Sequence, residues 1–225
     1  FDFSFAPSLL FYSYIPIVLI ALFFGFFVLY RDHSSLRSKL LFALSICFFL
    51  LIINEIIQWI AVYASVVQLG WQLIALFRIS VVLLSMYFAY VFIYKKDLPF
   101  GQKVFLSAVY LSVLVFLPST INVTEFDLTN CEGNPGILNN IVHGLGLISV
   151  LWISILAINK YRQKNLDKSE KKQILFISLA TCLFLIIFFV SNAFADLTTI
   201  YDIGLLGPIG MIVFLGFLTY MIVRL

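Results

Sequence analysis

From Ile203 to Val223 the chain carries no charged side chain; Asp202 stands before the run and Arg224 after it. At a rise of about 1.5 Å per residue such a run covers the roughly 30 Å hydrocarbon layer, and it is expected to be a transmembrane helix. Gly204, Gly207 and Gly210 recur every three residues, so they stay near one face and admit a close neighbouring backbone. Pro208 lacks the N–H that the carbonyl of Gly204 would accept, and a bend is expected there. Gly204, Gly207, Pro208 and Gly210 are therefore the candidate hinge.

The rest of the chain has the same character. A hydrophobic share of 63%, a charged share of 11% and a mean hydropathy of +1.09 lie far from soluble domains, in which about a quarter of residues are charged. The fold class expected is all-α, a single integral-membrane bundle of seven transmembrane helices. The spans fall at about 11–30, 40–64, 72–94, 104–121, 137–158, 174–195 and 203–224. The first residue is Phe1 rather than Met, so a processed N-terminus is expected.

Charge in the connections orients the bundle. Connections 31–39, 95–103 and 159–173 hold twelve of the fourteen Lys and Arg residues, and Arg224 ends the last span on the same side. Basic loops stay in the cytoplasm, which predicts an outside N-terminus, a cytoplasmic C-terminus and a multi-pass membrane protein. Asp2, Glu125, Asp127, Glu132, Asp196 and Asp202 fall on the opposite side. Basic loops beside a lipid bilayer account for the net charge of +3 without nucleic acid as a partner.

Tyr12, Tyr14 and Tyr30 bracket the first span as interface anchors. Residues 65–70 read as a short outer connection that makes the second and third spans antiparallel neighbours. Residues 122–136 read as an outer loop in which Asn122-Val-Thr124 matches a glycosylation acceptor, and residues 159–173 read as helical extensions beyond the bilayer. Cys47 and Cys182 are packing residues within spans, whereas Cys131 stands in the outer loop as a free thiol or an intermolecular bridge.

Two charged side chains fall well inside the spans, Glu55 and Arg78. Each costs about 2.5–3.5 kcal/mol on insertion scales unless compensated, so they form the candidate ion pair or switch. Glu55 lies about nine residues before the outer end of its span and Arg78 about eight after the start of the next, which puts both roughly 12–14 Å deep. The pair would fix helix registry or move when a stimulus arrives. Asn54, Gln58 and Trp59 flank Glu55, and His143, Asn192 and Asp196 near the outer ends of the fifth and sixth spans could join the same ligand pocket. Trp71, Trp152 and Tyr201 read as packing or interface aromatics.

Catalysis finds no pattern. The chain has no His-Glu-x-x-His, no Cys-x-x-Cys, no phosphate-cradling Gly-rich loop and no Gly-x-Ser-x-Gly, and its two histidines, His33 and His143, fall on opposite sides. No cofactor, metal site or enzymatic activity is expected of these 225 residues. Retinal proteins need a lysine in the last span, and residues 203–223 contain none. The third span ends in Tyr94-Lys95-Lys96-Asp97 without the acidic-Arg-aromatic signature of G-protein-coupled receptors. A secondary transporter would show corresponding broken helices in two related halves, and the sequence shows one such helix.

Leu206-Gly207-Pro208, then Ile212-Val213-Phe214-Leu215-Gly216-Phe217 and Tyr220-Met221-Ile222-Val223-Arg224, resemble the seventh helix of the seven-transmembrane input region of bacterial sensor histidine kinases. Arg78 and the Lys95-Lys96-Asp97-Leu98-Pro99 turn are compatible with that family. The resemblance implies a receptor in a two-component system. It would detect an extracellular or membrane-borne stimulus, such as a small-molecule or lipid ligand, and pass it through helix seven to a cytoplasmic signalling module in cis, in a full-length homodimer. A small-molecule or ion transporter and a structural subunit of a membrane complex are the alternatives.

Overall fold

A computed structural model describes residues 10–127, 132–163, 166–198, 201–204 and 206–224, with backbone alone at 10, 196, 201, 202 and 219–224. A π-helical turn, Leu10–Tyr14, leads into α1 (Ile15–Arg31), with Pro16 in the first turn of α1. Then follow α2 (Leu36–Ile60), α3 (Ala64–Tyr94), α4 (Phe100–Phe116), α5 (Ile137–Tyr161), α6 (Lys168–Thr198), the single turn α7 (Tyr201–Gly204) and α8 (Ile209–Arg224). Among the described residues five helical segments, Phe11–Arg31, Leu36–Ile60, Ala64–Tyr94, Ile137–Tyr161 and Lys168–Ala195, are long and apolar enough to cross a membrane. The chain is an all-α protein of multi-pass membrane character.

Helices α1, α2, α3, α5, α6 and α8 pack in that order into a closed ring, with α8 returning to α1 and α3 touching α6 across the middle. Helix α4 stands outside the ring against α3 and buries only Val113. The interior is filled by phenylalanine. Phe48 of α2, Phe88 of α3, Phe184 and Phe188 of α6 and Phe214 of α8 are fully buried and meet edge-on, tilted or stacked, with ring centroids 5.7–6.2 Å apart. Between helices in lipid the gain comes from such interdigitation rather than from expelled water.

Three expected boundaries are corrected. Helix α2 stops at Ile60 and α3 begins at Ala64, so residues 65–70 are the first turns of α3 and not a connection. The helix starts early because the carbonyl of Tyr63 accepts the N–H groups of Val66 and Val67, and Gln58 packs against the small Gly70. Helix α4 is shifted to Phe100–Phe116 from the span expected at 104–121. Residues 122–136 do not form a plain loop: β1 (Val123–Asp127) pairs antiparallel with β2 (Glu132–Pro135), while Cys131 lies outside the described residues.

The hairpin is tied to the start of α3. Gly133 lies against the Trp71 ring, and the buried Asn122 amide donates to the carbonyls of Gln72 and Leu117, both at 2.9 Å. Asn139 donates to the carbonyl of Asn122 at 3.0 Å. Asn122 is therefore a structural clamp, and its engaged, inaccessible amide does not suit it as a glycan acceptor in the folded chain.

The far end of the ring is basic. Lys95 takes a left-handed conformation (φ 54°) that ends α3 and pairs with Glu170 in the first turn of α6. Asp97 pairs with Lys103 and accepts from the Tyr87 hydroxyl and the Leu98 N–H. Tyr90 stacks between Tyr94 and Trp152, and the Lys160 ammonium lies 5.8 Å from the Tyr94 ring. Helices α5 and α6 extend into this basic segment, as the alternating charges predict.

Candidate functional site

Arg78 arises from the middle of α3 and is 94% buried, with a relative exposure of 6%. Its Nη2 donates to Asn192 Oδ1 of α6 at 2.8 Å, and its Nη1 lies 3.2 Å from His143 Nε2 of α5. A guanidinium can only donate, so His143 Nε2 accepts and the imidazole carries its proton on Nδ1. His143 and Asn192 are themselves buried, and the His143 ring meets Phe189 edge-on. His143 and Asn192 help to solvate a charge that the bundle interior would otherwise expel.

The second part of the site is at the start of the chain. The buried Tyr14 hydroxyl hydrogen-bonds the Glu55 carboxylate, and Tyr14 also lies within the electrostatic reach of Arg78. Tyr14 was expected as an interface anchor; the structure instead turns it inward at the junction of the π-helical turn and α1. The more strongly exposed Tyr12 and Tyr30 point out of the bundle.

The equal depth expected for Glu55 and Arg78 does not hold at the backbone. Asn54 Nδ2 donates to the carbonyl of Gly70 at 3.0 Å, which puts Glu55 level with the second turn of α3. Arg78 lies eight residues farther along, roughly 12 Å of helix rise. The difference follows from the early start of α3 at Ala64. Tyr14 couples to both residues in this arrangement.

Of the other predicted pocket residues, Asn54 is buried and Gln58 Nε2 donates back to its carbonyl at 3.2 Å. Trp59 packs half-buried against the core. Asn54 and Gln58 thus belong to the packed α2–α3 contact. The side chain of Asp196 lies outside the described residues. Among the described residues no three His, Cys, Asp or Glu side chains gather as a metal site.

Asn192 connects Arg78 to the last helix. Its amide nitrogen would lie 2.9 Å from a Cβ placed on Gly207, and Ser191 Oγ 3.0 Å from the same point. A Cβ on Gly210 would lie 2.9 Å from the Phe184 carbonyl, so the glycine row admits the α6 backbone. The helix is interrupted between Gly204 and Ile209, where the bonding switches to i→i−3: Leu206 to Ile203, Gly207 to Gly204, Ile209 to Leu206, Gly210 to Gly207 and Met211 to Pro208. The Gly204 carbonyl, expected to lose its donor to Pro208, is instead satisfied by the Gly207 N–H at 2.9 Å.

Comparison of the chain with protein-family models, with curated proteins and with solved structures gives no match.

Proposed function

We propose that this chain is a membrane-embedded receptor region in which a buried polar network reports a stimulus to an interrupted last helix. The observation that carries the reading is the contact chain from Arg78 to Asn192 and from Asn192 to Gly207. A buried charge held in a polar network is sensitive to any ligand, proton or lipid that alters that network. A helix that already changes its bonding pattern beside one of them is the natural place for the response.

In this reading seven spans cross the bilayer, with α4 as the fourth and α7 with α8 as the seventh, and the basic end lies in the cytoplasm of a bacterial cell. The function is that of a sensory input region, and the resemblance of residues 206–224 to the last helix of sensor histidine kinase input regions points to a kinase-type module as the recipient. A stimulus must favour one arrangement by a few kcal/mol to shift output appreciably.

Spin labels on a Gly216→Cys, Lys39→Cys protein in which Cys47, Cys131 and Cys182 are replaced by alanine, in lipid nanodiscs, test the coupling. Arg78→Gln and Asn192→Ala should each shift or broaden the distance distribution between α8 and α2 by several ångströms. Unchanged distributions in both variants would refute the coupling. The interrupted helix also favours a transporter, since discontinuous helices line many transport sites. Ion or solute flux in proteoliposomes that Arg78→Gln abolishes would select that second reading.

A further inference from the structure

We infer that the cavity between the start of α2 and the end of α3 binds a phosphate group, supplied by the headgroup of an anionic lipid. The cavity has a volume of about 250 Å³ and is lined by Ser35, Leu36, Arg37, Val91, Lys95, Lys96 and Asp97. It lies at the basic end of the ring, apart from the Arg78 network, and does not depend on the receptor reading.

Three cations and one carboxylate line it, and the carboxylate is already engaged. Asp97 is committed to Lys103, Tyr87 and the Leu98 N–H, so it offers little repulsion to an incoming anion. Lys95 is shared with Glu170, whereas Arg37 is held over the Phe92 ring at 5.7 Å. The left-handed turn at Lys95 lets Lys95 and Lys96 leave the end of α3 beside the start of α2.

The backbone adds donors to the same space. Ser35 makes no side-chain capping bond and the first turn of α2 contains no acidic residue, while Asp32 accepts the Ser35 N–H at 3.2 Å and leaves the N–H groups of Leu36, Arg37 and Ser38 to the cavity side. Intrahelical bonding begins with the Lys39 N–H to the Ser35 carbonyl, so the preceding N–H groups of α2 suit an anion. A helix start, a guanidinium and two ammonium groups around one cavity make a site for phosphate oxygens.

The surroundings favour a lipid over a free ion. Helix α1 ends at this side with Phe26, Phe27 and Tyr30 exposed, and α4 begins here with Phe100, Val104 and Phe105 exposed. Acyl chains attached to a phosphate in the cavity can lie along these apolar faces.

Native mass spectrometry of the chain in detergent, titrated with phosphatidylglycerol and phosphatidylcholine, tests the site. Phosphatidylglycerol should be retained preferentially, and Arg37→Gln with Lys96→Gln should weaken it roughly tenfold or more. Arg37→Lys with Lys96→Arg should retain it, as should Lys171→Gln, which removes a charge from the same end beside Tyr161. Equal retention of the two lipids, or an equal loss in Lys171→Gln, would overturn the site. Displacement by inorganic phosphate at the concentration of lipid phosphate would overturn the lipid as its source.

Discussion

Arg78 Nη2 and Asn192 Oδ1 meet at 2.8 Å across the middle of the ring, joining α3 to α6 through residues 114 positions apart in the chain. Replacing Asn192 with alanine removes an acceptor from a buried charge. A loss of about 1.5–3 kcal/mol is expected, the usual range for hydrogen bonds to charged groups. Thermal unfolding in detergent should show it, while Asn192→Asp keeps the acceptor and should retain most of the stability.

Two glycines of the last helix should respond oppositely. At Gly210 a methyl group would meet the Phe184 carbonyl at 2.9 Å, and backbone cannot give way cheaply. Gly210→Ala should cost about 1–3 kcal/mol. At Gly216 nothing lies within 4 Å of the same position, so Gly216→Ala should be neutral or slightly stabilising.

The α3–α4 corner should be sensitive to acid. The Lys103 ammonium, then the Tyr87 hydroxyl, hold the Asp97 carboxyl below its ordinary value of 3.8. Folding therefore favours the carboxylate, and its contribution is present above 3.8 and lost as pH falls through the lower value in the folded chain. Titration followed by the Asp97 carboxyl carbon resonance should give a midpoint below 3.8, and Lys103→Gln should raise it.

Asn122→Ala should release the hairpin. Its amide donates to Gln72 and Leu117 and its carbonyl accepts from Asn139, so one substitution removes two anchors while leaving the strands intact. Faster amide exchange in β1 and β2, with α5 and α6 unchanged, is the expected result.

Long uncharged runs made the helices legible in the sequence, and the intramembrane charge singled out Arg78. His143 and Asn192 could be recognised as candidates, yet their convergence on Arg78 is tertiary and depends on how α5 and α6 face α3. The start of α3 was misread because Ser65 to Gly70 looks like a turn until Gln58 covers Gly70. Tyr14 was missed for a related reason: tyrosines near a membrane surface suit the interface, and only the π-helical turn before α1 aims this one inward at Glu55. The hairpin escaped notice because five-residue Val123–Asp127 carries too short an alternation to mark a strand.

The i→i−3 bonding from Leu206 to Met211 gives the last helix a screw-like property. A 3₁₀ residue advances about 2.0 Å and turns about 120°, against about 1.5 Å and 100° in an α-helix. Rewinding five such residues would draw the far end inward by roughly 2.5 Å and rotate it by about 100°, so a small exchange of hydrogen bonds beside Asn192 would turn a different face of α8 outward at its far end.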